Sequence, residues 1–429
     1  MRARFAAAAA AFALVLVGAT GAAAAPDETP VAEEEADPIQ SAQYWLDDYG
    51  IRDAWETTRG AGVTIAVIDT GIGEGPAEFD GAVVGGADFS GRGSSDGRTP
   101  VGAVDFNHGS WVGSLAASRG TGDGAGMLGV APAARLLSLS VGFGASSAVP
   151  FVDQVADAIR WAVDNGADVI NLSFTTNTLE WDVSWDAAFL YAFQHDVVVV
   201  VAAGNRGSGT DEVGAPATIP GVLTVGGVDR EGKASVEAST QGISIGVMAP
   251  SEELLGVSAD GQIMVWNGTS GAAPIVAGVA ALVRAAHPDL DADNVINRII
   301  STARSTPDSR AKPELYGRGL IDAAAAVSAR VPRVDENPMG SLSEWIRLHR
   351  RAEATPLPQP TVEPVDIEPL PAPDAATRPG SPLLPSAETL LYGTVPLSGA
   401  TLAAILVGLG VTAAARRVRS ARTSRVPSR

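Results

Sequence analysis

The sequence predicts a three-layer α/β domain, with a mainly parallel sheet covered by helices, and one C-terminal transmembrane helix. Three observations carry that expectation. Five short runs, 63–68, 136–141, 168–172, 197–203 and 222–225, are β-rich and almost continuously apolar, as strands buried on both faces must be. Helical patterns at 152–165, 186–194 and 270–286 supply crossovers between and after them. Near the end, residues 395–415 form a 21-residue stretch without a charge, which matches the ~20 residues needed to cross a bilayer.

Composition narrows the chemistry. The 429 residues include no cysteine, so disulfides, thiolate metal sites and a cysteine nucleophile are excluded. With 30 Lys+Arg against 49 Asp+Glu the formal charge is −19, and no nucleic-acid partner is expected. That charge is unevenly spread. Arg2 and Arg4 at the start and six arginines within 416–429 at the end leave 22 basic residues against 49 acidic ones between them. An acidic middle between basic ends is the pattern of a chain that meets a membrane at both ends.

Taken in order, residues 1–24 read as a secretory signal peptide: Arg2 and Arg4, a short apolar run from Phe5 to Val17, then small residues up to a cleavage site. The alternative is an uncleaved signal anchor. Residues 25–42, with Asp27, Glu28, Glu33, Glu34, Glu35 and Asp37, are expected to be an acidic mobile leader, too short for a folded prodomain. The globular body spans 43–328, and ~285 residues can bury a core without disulfides. In the extension 329–354, Ser341 and Glu344 frame a capping box for a short helix that carries Trp345, Ile346 and Leu348.

Ten prolines between Thr355 and Glu388 make 355–394 a stalk, able to reach ~100 Å in the polyproline II form. The transmembrane helix 395–415 follows. The basic tail 416–429 is then cytoplasmic by the positive-inside rule.

Three places in the body stand out. Asp69 ends the first buried strand, at the sheet edge where active sites gather in α/β folds; taken alone it reads better as a loop or cap residue. His108 opens an Ala-rich helix, with small neighbours that allow close approach to the sheet. A lone histidine is usually structural, as the settings of His195, His287 and His349 are. Ser270 opens a helix that is apolar on every side, whose positive end favours a developing oxyanion; taken alone it reads as an N-cap. Pro274 is expected to fall in the first turn, where amides have no helical partner.

Together, Ile68-Asp69-Thr70-Gly71, His108-Gly109-Ser110 and Gly268-Thr269-Ser270-Gly271-Ala272-Ala273-Pro274, in that order, resemble the active-site motifs of the subtilisin-like serine proteases, the subtilases. Further matches are Gly129 to Arg135, Gly166 to Ser173, Ala203-Gly204-Asn205 and Gly317 to Asp322, so the resemblance covers about 43–328. It implies a three-layer subtilisin-like fold and a serine endopeptidase acting on protein or peptide. Ser270 would be the nucleophile, His108 the general base and Asp69 its partner, with Asn205 and the Ser270 amide as the oxyanion hole.

No cofactor is required for that chemistry; the family allows structural calcium, but no ligand residue is assigned here. Departures from the family pattern are Asn107 before the histidine, Ser110, Gly271 after the nucleophile, Phe174-Thr175-Thr176, and Ser251. They bear on cleft shape and substrate preference.

Signal peptide, subtilase body, Pro-rich stalk and C-terminal helix are together similar to the mycosins, membrane-anchored subtilases associated with type VII secretion systems. Tyr44-Trp45 and the segment Arg52 to Gly62 resemble that group as well. The implied partners are secretion-complex components. A scaffold for such a complex, with proteolysis dispensable, is the alternative function.

Overall fold

The computed structural model describes residues 37–103, 106–350 and 386–423. The expected signal peptide and most of the Pro-rich stalk lie outside them. Seven parallel strands form the main sheet: β1 (Thr64–Asp69), β2 (Val83–Asp88), β3 (Arg135–Ser140), β4 (Val169–Leu172), β5 (Val198–Ala202), β6 (Leu223–Val228) and β7 (Ile245–Pro250). Their order is β2-β3-β1-β4-β5-β6-β7. A separate antiparallel hairpin pairs β8 (Leu254–Val257) with β9 (Ile263–Trp266). Every residue of β1 and β5 is buried, which is why these strands are apolar throughout rather than alternating.

The helices are, in order, α1 (Pro38–Ala42), α2 (Trp45–Asp48), α3 (Ile51–Trp55), α4 (His108–Ala117), α5 (Phe151–Asp164), α6 (Val183–Gln194), α7 (Thr269–Ala286), α8 (Ala292–Ser301), α9 (Pro307–Ala311), α10 (Pro313–Tyr316), α11 (Ala323–Ser328), α12 (Leu342–His349) and α13 (Val395–Thr423). On α5, Val155, Ala158, Ile159 and Ala162 are buried, the one-sided stripe of a helix covering a sheet. α7 is buried on all sides from Gly271 to Val283, so it is the interior helix that its uniformly apolar sequence requires.

Strands β1, β3, β4, β5 and β6 fall where the five apolar runs put them. The edge strand β2 and strand β7 were not foreseen. β2 is only partly buried and contains Gly85 and Gly86. A side chain at Gly86 would lie 2.1 Å from the Asp96 carbonyl, so close packing excludes the β-branched residues that mark a strand.

Two expectations change. The leader is not mobile to its end: Asp37 caps α1 by accepting from the Gln40 amide at 2.9 Å. Gln40 then donates to the Gly124 carbonyl, and Gln43 exchanges two hydrogen bonds with Leu128. Behind it, Trp45 and Leu46 are fully buried, which anchors the turn to the body. Helix also begins earlier at the C-terminal end. A π-helical segment, Thr389–Thr394, runs directly into α13, and residues 386–394 contain no proline to interrupt it. Thr389–Ser420 is long and apolar enough to cross a membrane.

α12 packs on the body. Ser341 caps it by accepting from the Glu344 amide, while the Glu344 side chain pairs with Arg347 instead of closing the capping box. Trp345 lies against Trp181 with ring centroids 4.4 Å apart, and Arg350 pairs with Asp186 at 2.5 Å.

Candidate active site

The C-terminal edge of β1, between β3 and β4, is the point from which the site is built. Asp69 is the last residue of β1 and is fully buried. Its carboxylate accepts from the Thr70 amide at 2.7 Å and faces His108 Nδ1 at 2.8 and 3.0 Å. With Nδ1 directed at a buried carboxylate, the imidazole carries its proton there and leaves Nε2 able to accept. Asp69 is therefore neither a loop residue nor a helix cap.

His108 is the first residue of α4. The helix start is fixed from three directions. Thr70 Oγ1 accepts from the Gly109 amide at 2.8 Å and donates to the Phe106 carbonyl at 2.9 Å. Ser110 Oγ accepts from the Gly73 amide, and Asn107 Oδ1 accepts from the Ala259 amide. Gly109 is required, because a side chain there would lie 2.6 Å from the Gly71 carbonyl oxygen. The departures Asn107 and Ser110 thus have structural partners of their own.

Ser270 is the second residue of α7, where the amide has no carbonyl within the helix. The N-cap is Gly268, so Ser270 is not a capping residue. Its Oγ donates to the Ser173 carbonyl at 2.9 Å, and Ser173 Oγ returns a bond to the Ser270 carbonyl at 2.8 Å. The second bond has a cause in the sequence. Because α7 starts at Thr269, Pro274 falls beyond the first turn, and its missing N–H frees the carbonyl of Ser270 four residues earlier. Ser173 takes that carbonyl.

Asn205 follows β5 and sits against the same turn. Its Oδ1 accepts from the Thr269 amide at 2.8 Å and from Thr269 Oγ1 at 2.9 Å. Thr269 Oγ1 in turn accepts from the Gly204 amide. With Oδ1 occupied twice, the Asn205 NH₂ is left as the group available to an anion. Thr70, Ser173 and Thr269, none of them given a role from sequence, hold the four expected residues; each lies inside one of the quoted motifs, and that membership was the available signal.

Among the described residues no group of three His, Cys, Asp or Glu could hold a metal ion. A cavity of about 1100 Å³, lined by Trp181, Ile219, Pro220, Ile243, Met339 and Trp345 among others, contains none of Asp69, His108, Asn205 or Ser270. The four residues therefore lie outside that cavity.

Residues 60–319 match the model of the subtilase family. Subtilisin DY of Bacillus licheniformis is 38% identical over 277 residues, 62% of this chain and 92% of its own length. Mycosin-1 of Mycobacterium tuberculosis is 33% identical over 375 residues, 75% of this chain and 78% of its own. The crystal structure of MycP1 from the ESX-1 type VII secretion system superposes with a TM-score of 0.57 at 29% identity, covering 69% of this chain and 88% of that one.

Proposed function

The chain belongs to the subtilase family of serine endopeptidases, and from that premise we propose that Asp69, His108 and Ser270 form its catalytic triad, with Asn205 in the oxyanion hole. The observation that carries the reading is the His108 Nδ1 contact with the buried Asp69 carboxylate at 2.8 Å. In acylation, Ser270 Oγ bonds to the scissile carbonyl carbon while its proton passes to His108 Nε2. Asp69 stabilises the imidazolium without taking the proton. The carbonyl oxygen becomes an anion that accepts from Asn205 Nδ2 and the Ser270 amide. His108 then protonates the leaving amine as the C–N bond breaks, and water reverses the sequence to release the acid.

The same reading makes the protein a single-pass membrane peptidase. The apolar helix that includes Leu397 to Val411 would span the bilayer, with Arg416, Arg417 and Arg419 on the cytoplasmic side and the body outside. The mycosin and MycP1 similarities support a role beside a type VII secretion complex, with protein substrates. A peptide library incubated with the wild-type protein should yield new termini detected by mass spectrometry, and Ser270→Ala should yield none. Equal cleavage by both proteins would overturn the triad.

A further inference from the structure

Strand β9 ends at Trp266, four residues before Ser270. The Trp266 ring meets the His108 ring edge to face, with centroids 5.6 Å apart. Trp111, one turn along α4, backs both, at 5.5 Å from Trp266 and 6.4 Å from His108, and is itself fixed by Nε1 donating to Ser258 Oγ at 2.9 Å.

Two glycines make room for this wall. A side chain at Gly256 would lie 2.8 Å from Trp266 Nε1, and one at Gly271 would lie 3.3 Å from Trp266 Cη2 and 2.3 Å from Leu254. The small residue that follows Ser270 is thus required first by Leu254, with the indole in tight contact beside it. Trp266 Nε1 is also buried with no acceptor among the described residues. A phenylalanine would cover the same space without an orphan donor, so the choice of tryptophan works against stability, as happens where function sets the residue.

We propose that Trp266 is a positioning residue for His108, holding the imidazole in the orientation that serves Ser270; this rests on the triad reading above. The Asp69 bonds hold the Nδ1 edge of the ring. Trp266 packs on the ring and Trp111 supports Trp266, so a pivot of the imidazole that carried Nε2 away from the nucleophile would require the wall to move. Trp266 acts through His108 and takes no part in proton transfer itself.

The test is the rate at which a fluorophosphonate labels the full-length protein in detergent, resolved into maximal rate and half-saturating concentration. Trp266→Leu, which removes the ring, should lower the maximal rate about tenfold or more, because small displacements of reacting groups are costly, and leave the half-saturating concentration nearly unchanged. Trp266→Phe, which keeps a ring and drops the orphan N–H, should label at nearly the wild-type rate with an equal or higher Tm. Trp266→Met repeats the test with an adaptable side chain if the leucine variant does not fold.

Wild-type rates in the ring-less variants, or equal losses in Phe and Leu that follow their Tm values, would overturn the proposal. Failure of the wild type to label would overturn the nucleophile reading, and this proposal with it.

Discussion

Asn205 shows how a residue is prepared by its neighbours. Thr269 occupies the amide oxygen with two hydrogen bonds, which fixes the direction of the NH₂ without touching it. Removing such a donor from a subtilisin lowers kcat about 10²–10³-fold, and the same loss is expected for Asn205→Ala with little change in KM. A loss below about tenfold would argue against the assignment. The motifs made Asp69, His108, Asn205 and Ser270 legible, because each lies in a short segment with a distinctive order. Trp266 and Thr269 were not legible as partners, since what matters about them is which ring or amide they meet across the fold.

Asp293 offers a separate test of the folded geometry, far from the chemistry. Burial raises its pKa, partly offset by a hydrogen bond from Asn337, with Asp291 and Asp196 raising it further. A raised carboxylate means that the folded state holds the proton more tightly than the unfolded chain. Ionisation therefore costs stability as pH rises through the ordinary value of about 3.9 and on to the raised one. Asp293→Asn should have a higher Tm than the wild type at pH 7, and the difference should vanish below about pH 4. A difference that persists at low pH would contradict the assignment.

Among the elements, α7 and α12 carry the clearest consequences. α7 was readable as an interior helix from its uniform apolarity, yet its start was misjudged, which put Pro274 in the first turn. The structure turns that proline into the reason why Ser173 binds the Ser270 carbonyl. The hairpin of β8 and β9 went unread although Asp260-Gly261 occupies its turn, with Gly261 at φ +83°. Its second strand is only partly buried, so no apolar alternation announced it.

For α12, the Arg350 and Asp186 side chains are 18% and 11% exposed, and Asp186 also accepts from Trp181 Nε1 at 2.6 Å. Arg350→Ala leaves that carboxylate without its charge partner. Destabilisation of about 2 kcal/mol is expected, a fall of several degrees in Tm by differential scanning fluorimetry. An unchanged Tm would mean that the extension is only loosely held.

At the scale of the whole molecule, the acidic body and the arginine-rich end are separate in sequence and in structure. The body, with α12, belongs to one compact unit and α13 to another. A chain ending after Arg350 should therefore be recovered in the soluble exported fraction with the Tm of the intact protein; a membrane-bound truncation would contradict anchoring by α13. The three-layer architecture was legible because doubly buried strands have a distinctive composition, whereas edges and hairpins share theirs with loops.

The central claim is that Ser270, activated by His108 and Asp69, is the nucleophile. The most direct test is to label the protein with a fluorophosphonate and map the adduct by mass spectrometry. The account predicts one modified residue, Ser270, in the wild type, and no adduct in His108→Ala under the same conditions. An adduct on another residue, or undiminished labelling of Ser270 without His108, would contradict it.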